Sequence, residues 1–239
     1  MHQIMHSSRR LHTRSILSGG LLALAIGAVP SAQAVLVDPS YENNPLTTIA
    51  NVLGNFPLYQ GKWGHENSTI TPMVGLVTPP DGKLMLSMLD DGLIATQTVQ
   101  AVDVSAYGAM IASGAMFNMS ALFNTQNPGI AIGGVALQFF AGSTYGSQIG
   151  SGMIGTINVD INPATWQPAS VTGTVPLGTT WMVAQVLYNN ASLANHAGYV
   201  DLAELRITPV PEPSTLGMLL LGGLVIAAGL RRRQARTEA

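Results

Sequence analysis

The chain has 239 residues, of which 47% are hydrophobic and 9% charged, and it contains no cysteine. A disulfide framework, a thiolate metal site and a cysteine nucleophile are therefore excluded. Its formal net charge is −2, but ten acids against three bases between Val35 and Pro209 give that stretch −7, which argues against nucleic-acid binding because that needs a basic stripe.

The chain opens with an export pattern. Arg9, Arg10 and Arg14 form a basic region, Ile16 to Val29 an apolar run of about 14 residues, and Ala32-Gln33-Ala34 a small-x-small cleavage site. Residues 1–34 read as a signal peptide removed by signal peptidase, leaving Val35 as the mature N-terminus. Ser8-Arg9-Arg10 raises a twin-arginine route, but His12 and Thr13 stand where that signal carries apolar residues, so the general secretory route is favoured.

Residues 35–209, about 175 in number, suffice for one domain with its own core. From Ala115 to Phe123 the odd positions are all apolar while Asn118 and Ser120 fall on the other face, the pattern of a half-buried strand. Thr156 to Ile161 alternates likewise. Further strands are expected at Lys83–Leu89, Val99–Val104, Val135–Phe140, Val171–Val175, Trp181–Leu187 and Tyr199–Ile207. Pro79-Pro80-Asp81-Gly82, Asp90-Asp91-Gly92, Asn127-Pro128-Gly129 and Leu177-Gly178 supply turn chemistry. Asp81 is read there as a turn residue with no ligand role. The Gly-rich stretch from Gly142 to Gly155 is expected to be a mobile loop or weak hairpin. Many short strands without a sustained helical period predict an all-β fold, an antiparallel β-sandwich.

Residues 210–239 combine three signals. Pro211-Glu212-Pro213 precedes an uncharged run, Leu216 to Leu230, which stops at Arg231-Arg232-Arg233. Counted from Pro213 the uncharged stretch is about 18 residues, roughly 27 Å as a helix against a hydrocarbon core of ~30 Å. A transmembrane helix is expected over 214–230, with a basic tail at 231–239 that stays cytoplasmic and leaves the preceding domain on the far side. Pro211 and Pro213 keep the motif extended, as a protease requires.

This arrangement resembles the PEP-CTERM sorting signal of Gram-negative bacteria: Pro211, Glu212 and Pro213 match the motif, Leu216–Leu230 the span and Arg231–Arg236 the basic end. The resemblance implies an exosortase as partner, a precursor anchored in the inner membrane, then a cell-surface or secreted product, and a connection with exopolysaccharide and biofilm. A second resemblance covers most of the exported domain. Asp38-Pro39-Ser40-Tyr41-Glu42, Thr96 to Ser105, Gly173 to Thr179 and Gly198-Tyr199-Val200-Asp201-Leu202 look like the landmarks of galactose-binding-like jelly rolls, which include many carbohydrate-binding modules. In those modules one calcium often ties the N-terminal segment to the last strand, and Glu42 and Asp201 occupy matching landmarks. The resemblance thus implies a structural calcium at Glu42 and Asp201; the alternative is a surface Glu42 and a strand-edge Asp201.

Catalytic chemistry is sparse. His65 and His196 are the histidines of the exported region, and no His-x-His or His-Glu-x-x-His spacing, Gly-x-Ser-x-Gly elbow or phosphate-binding Gly-rich loop is present. The chain is read as a non-enzyme. Sugar binding would use exposed aromatic faces, for which Trp63, Tyr145, Trp166 and Tyr188 are the candidates, with burial in the sandwich as the alternative for each. Trp181, inside a strand pattern, is assigned to the core. The reading is an exported, non-catalytic cell-surface or extracellular-matrix protein. The alternatives are a carbohydrate-binding, lectin-like module and a matrix glycoside hydrolase.

Overall fold

The computed structural model describes residues 33–43, 47–48, 59–89, 95–127, 129–142, 147–190, 196–210 and 222–223. In chain order these form β1 (Gln33–Ala34), β2 (Thr47–Thr48), β3 (Gly64–His65), β4 (Ser68–Thr71), β5 (Met85–Leu89), β6 (Thr96–Asp103), a 3-10 turn (Ser105–Tyr107) running into α1 (Gly108–Ala112), β7 (Ala115–Asn124), β8 (Ala131–Ala141), β9 (Ser147–Gln148), β10 (Met153–Val159), β11 (Gln167–Thr174), β12 (Trp181–Asn190) and β13 (Ala197–Pro209).

Two sheets pack face to face. The first runs β11-β7-β13-β5-β4, with β1 added to β13; the second runs β10-β8-β12-β6-β3-β2, with β9 added to β8. Pairing is antiparallel except between β2 and β3. The chain crosses between the sheets from β6 to β7, β7 to β8, β10 to β11, β11 to β12 and β12 to β13, so β7 pairs with β11 and β13, and β12 with β6 and β8, strands distant in sequence, the crossing pattern of Greek-key and jelly-roll sandwiches. All eight strands expected from the sequence are present, most extended by a few residues. Ile161, expected to continue the β10 alternation, lies beyond the strand end and is exposed.

Alternation builds the core. On β7, Ala115, Phe117, Met119, Ala121 and Phe123 are buried while Met116 and Asn118 are exposed. They face Val135, Leu137 and Phe139 of β8 and Met182, Ala184 and Val186 of β12, and the Phe117 and Phe139 rings meet at 5.3 Å. Strands β6 and β12 are buried on both faces, because their outward residues Val99, Ala101, Trp181 and Val183 form a second cluster with Tyr59 and Phe140. Trp181 therefore belongs to this outer cluster rather than to the core between the sheets.

The sandwich closes at one side where β10 and β11 approach across the two sheets. A Cβ at Gly155 would penetrate the Ser170 carbonyl oxygen, so the approach requires glycine. Gly155→Ala is expected to force backbone displacement costing about 1–3 kcal/mol, read as a melting temperature lower by several degrees. An unchanged melt would show that the closure is loose.

The N-terminal segment completes the first sheet. Gln33 and Ala34 pair with Ile207 and Arg206, Val35 N–H donates to the Leu205 carbonyl at 2.9 Å, and Ala203 N–H to that of Pro39 at 2.9 Å. Most of the signal peptide expected at 1–34, the sorting motif Pro211, Glu212 and Pro213, and the basic stop at Arg231, Arg232 and Arg233 lie outside the described residues. Of the span expected at 214–230 only Gly222 and Gly223 are described, and they are helical. No helix among the described residues is long and apolar enough to cross a membrane.

Candidate metal centre

Three chain segments converge beside β13: the strap 35–43, the turn 79–84 and a bulge in β13 itself. The bulge lies between Asp201 and Glu204, where the register against β7 shifts. It places Leu202 at φ 50°, and the strap places Asp38 at 50° and Tyr41 at 58°; among the described residues these are the non-glycine residues with positive φ. Such backbone costs energy and persists only where its surroundings hold it.

What holds the strap is a set of side-chain bonds. The Asp38 carboxylate accepts the backbone N–H groups of Glu42 at 2.8 Å and Asn43 at 3.0 Å, closing the strap into a loop four and five residues on. Its carbonyl accepts Trp63 Nε1–H at 3.0 Å, and the Trp63 and Tyr41 rings meet at 5.1 Å. Gln100 bonds both backbone groups of Val37, accepting its N–H at 2.7 Å and donating to its carbonyl at 2.9 Å.

The acids then gather. Glu42 Oε1 accepts the N–H groups of Lys83 at 2.7 Å and Leu84 at 2.6 Å. Gly82, at φ 62°, leaves room for that carboxylate, which a Cβ would strike. Ser40 Oγ donates to Asp81 Oδ2 at 2.8 Å. Asp201 is fully buried, and accepts Leu202 N–H at 2.7 Å and, more weakly, Asp81 N–H at 3.4 Å. Burial first, and then the negative charges of Asp81 and Glu42, push its pKa up to about 7 against the pull of those two N–H groups. The Tyr41 hydroxyl is buried without a hydrogen-bond partner; burial, with Asp201 and Asp38 nearby, pushes its pKa well above the usual value.

Glu42 and Asp201 thus lie within electrostatic reach of each other, on the strap and the last strand. Asp81, read from sequence as a turn residue without ligand role, lies in the same cluster, its N–H directed at the Asp201 carboxylate. Its signal was faint: an acid in a Pro-Pro-Asp-Gly turn more than a hundred residues from its partner. Oxygen donors alone, gathered around a buried carboxylate, suit a hard cation. No group of three acidic or histidine side chains converges closely enough among the described residues to hold an ion unaided, so backbone carbonyls would have to complete a shell.

The proposed sugar platforms divide differently. Trp63 and Tyr188 are fully buried and expose no face, a correction to their candidacy: Trp63 braces the strap, and Tyr188 packs in the core over Gly198. Trp166 is half-buried against Val77, Met85 and Tyr199, its Nε1–H donating to the Thr78 carbonyl at 3.0 Å. Tyr145 lies outside the described residues. The buried His65 accepts Ser68 N–H at Nδ1 at 3.0 Å, and burial lowers its pKa, a structural role.

Solved structures similar to the chain include the N-terminal xylanase 10B modules of Clostridium thermocellum complexed with xylohexaose (10% identity, TM-score 0.41, 63% of this chain and 26% of that one). TmCBM61 in complex with β-1,4-galactotriose matches with 12% identity and TM-score 0.43, over 72% of this chain and 97% of that one. The Stig cyclase Fisc from Fischerella sp. TAU matches with 10% identity and TM-score 0.45, over 76% of this chain and 100% of that one. The chain spans about a quarter of the xylanase it matches. No curated protein matches the chain. Residues 209–233 match the PEP-CTERM protein-sorting motif, so the chain carries that sorting signal immediately after its last strand.

Proposed function

We propose that the protein is an exported, non-catalytic β-sandwich that an exosortase sorts to the cell surface or matrix of a Gram-negative bacterium, where it associates with exopolysaccharide. The observation that carries the reading is the sorting motif, whose match begins at Pro209, the last residue of β13. In this reading the apolar run 216–230 holds the precursor in the inner membrane. Signal peptidase frees Val35, which is already bonded to β13.

Replacing Pro211-Glu212-Pro213 by three alanines is expected to leave membrane insertion intact, since the apolar run is untouched, and to make the full-length form accumulate in a host containing an exosortase. Wild-type processing of that variant would sink the sorting assignment.

The site at the strap is proposed to hold one structural calcium. Asp201 and Asp81 would be its side-chain ligands, and Glu42 would act from the strap. The support is the buried, uncompensated Asp201 carboxylate among like charges.

A second reading, a carbohydrate-binding module, has its own observation. On the outer face of the second sheet Gln185 is buried with Nε2 unbonded, and the buried Tyr59 hydroxyl, two strands away over Gly64, is also unbonded. Both atoms are closed to solvent, so ordered water, or a polar ligand admitted by movement of the covering side chains, would satisfy them. Binding of the mature chain to a glycan array, lost in Gln185→Ala, would establish this reading; an array without signal would remove it.

A further inference from the structure

The geometry points to the end of the sandwich from which the tail departs as a surface that docks on the lipid of the inner membrane in the precursor. This rests on the reading that the apolar run 216–230 spans that membrane.

Val210 is still part of the fold, its N–H donating to the Gly114 carbonyl at 3.2 Å. From Val210 to Leu216 there are six residues, which reach at most about 20 Å when extended. Strand β13, 13 residues long, spans about 40 Å, so the tether holds this end of the sandwich within about 20 Å of the bilayer and leaves the opposite end free to stand about 40 Å farther out.

The chemistry of that end agrees. It is closed by 104–114, 147–152, 175–180 and Val210, which contain no Asp, Glu, Lys or Arg. The segments belong together: Val175 N–H donates to the Ala115 carbonyl and Val104 N–H to that of Thr180, both at 2.9 Å or less. Leu177 is 75% exposed at the tip of a turn that Thr179 ties to the Pro176 carbonyl, so its exposure is built in rather than incidental. Met116 and Val210 are each more than a third exposed nearby, and Ala106 and Ala109 are exposed on the crossing segment.

An exported domain of formal charge −7 facing an anionic bilayer is repelled unless it presents a face without acids. This end offers one, with a single acid, Asp103, at its margin, whereas Glu66 and Asp160 lie toward the other end. Scattered apolar tips on an uncharged surface suit the interfacial layer of a bilayer.

The test uses the full chain in vesicles of phosphatidylethanolamine and phosphatidylglycerol carrying a nitroxide at the headgroup. Because the protein has no cysteine, Ser113→Cys and Ala164→Cys each accept one fluorophore, at the tail end and the opposite end. The Ser113→Cys label is expected to be quenched severalfold more than the Ala164→Cys label, and adding Leu177→Asp and Met116→Asp is expected to abolish the excess without lowering the melting temperature. Equal quenching of both labels on floating vesicles, or an excess that survives the double substitution and so reports tethering alone, overturns the docking while leaving the anchor intact. A chain that fails to float with vesicles overturns the anchor and the docking with it.

Discussion

Asp201→Asn is expected to make the calcium-free protein more stable at about pH 8 and to remove its response to calcium. A carboxyl whose pKa stands at about 7 when folded, against about 3.9 in the unfolded chain, keeps a proton that the unfolded chain has already released. Stability therefore falls as pH rises from about 4 to 7, by at most about 4 kcal/mol. The amide removes that cost, so the calcium-free variant should melt about 5–10 °C above wild type near pH 8, with the difference shrinking as pH falls toward 4. Calcium narrows the gap. Binding only the folded form, it stabilises wild type by RT ln(1 + [L]/Kd), about 2.7 kcal/mol at a hundredfold excess over Kd, and Asp201→Asn gains none of this.

Asp81→Ala is expected to weaken the same response, since Asp81 lies beside Asp201, whereas Glu204→Gln, which loses only a surface pair with Arg206, is expected to keep it. Calorimetric melts with calcium and with chelator check all three. Identical wild-type curves under both conditions, for protein shown free of retained metal, would remove the calcium while leaving the buried charge to be explained.

The contrast between strands and site shows what a sequence exposes. Strand β7 was legible because one face meets the core and the other meets solvent, so burial follows the two-residue period. Strands β6 and β12 have no such alternation to read, because Tyr59 and its neighbours cover their outer face as well. Glu42 and Asp201 were reachable only through resemblance, since 159 positions separate them. Neither the bulge that turns Asp201 inward nor the left-handed backbone of Asp38, Tyr41 and Leu202 follows from residue type, because none of the three is glycine. Glycine did carry meaning at Gly82, where the turn needs positive φ and Glu42 needs the space, yet its partner could not be named from Pro-Pro-Asp-Gly alone.

Trp63→Ala is expected to act on stability rather than on ligand binding. A tryptophan placed as a sugar platform would have an exposed face, and its removal would leave the melt unchanged. Trp63 instead is fully buried, packs on Tyr41 and donates to the Asp38 carbonyl. Its truncation should cost about 3–5 kcal/mol, a melting temperature lower by about 10 °C in a domain of this size. Trp63→Phe separates the contributions: it keeps most of the packing and loses the Nε1–H bond, for which about 1 kcal/mol is expected. Because Asp38 and Tyr41 bracket Ser40 and precede Glu42, a loosened strap should also weaken calcium binding in Trp63→Ala, although Trp63 offers no ligand atom. A Trp63→Ala protein with unchanged melting temperature and unchanged calcium response would show that the strap is held without it.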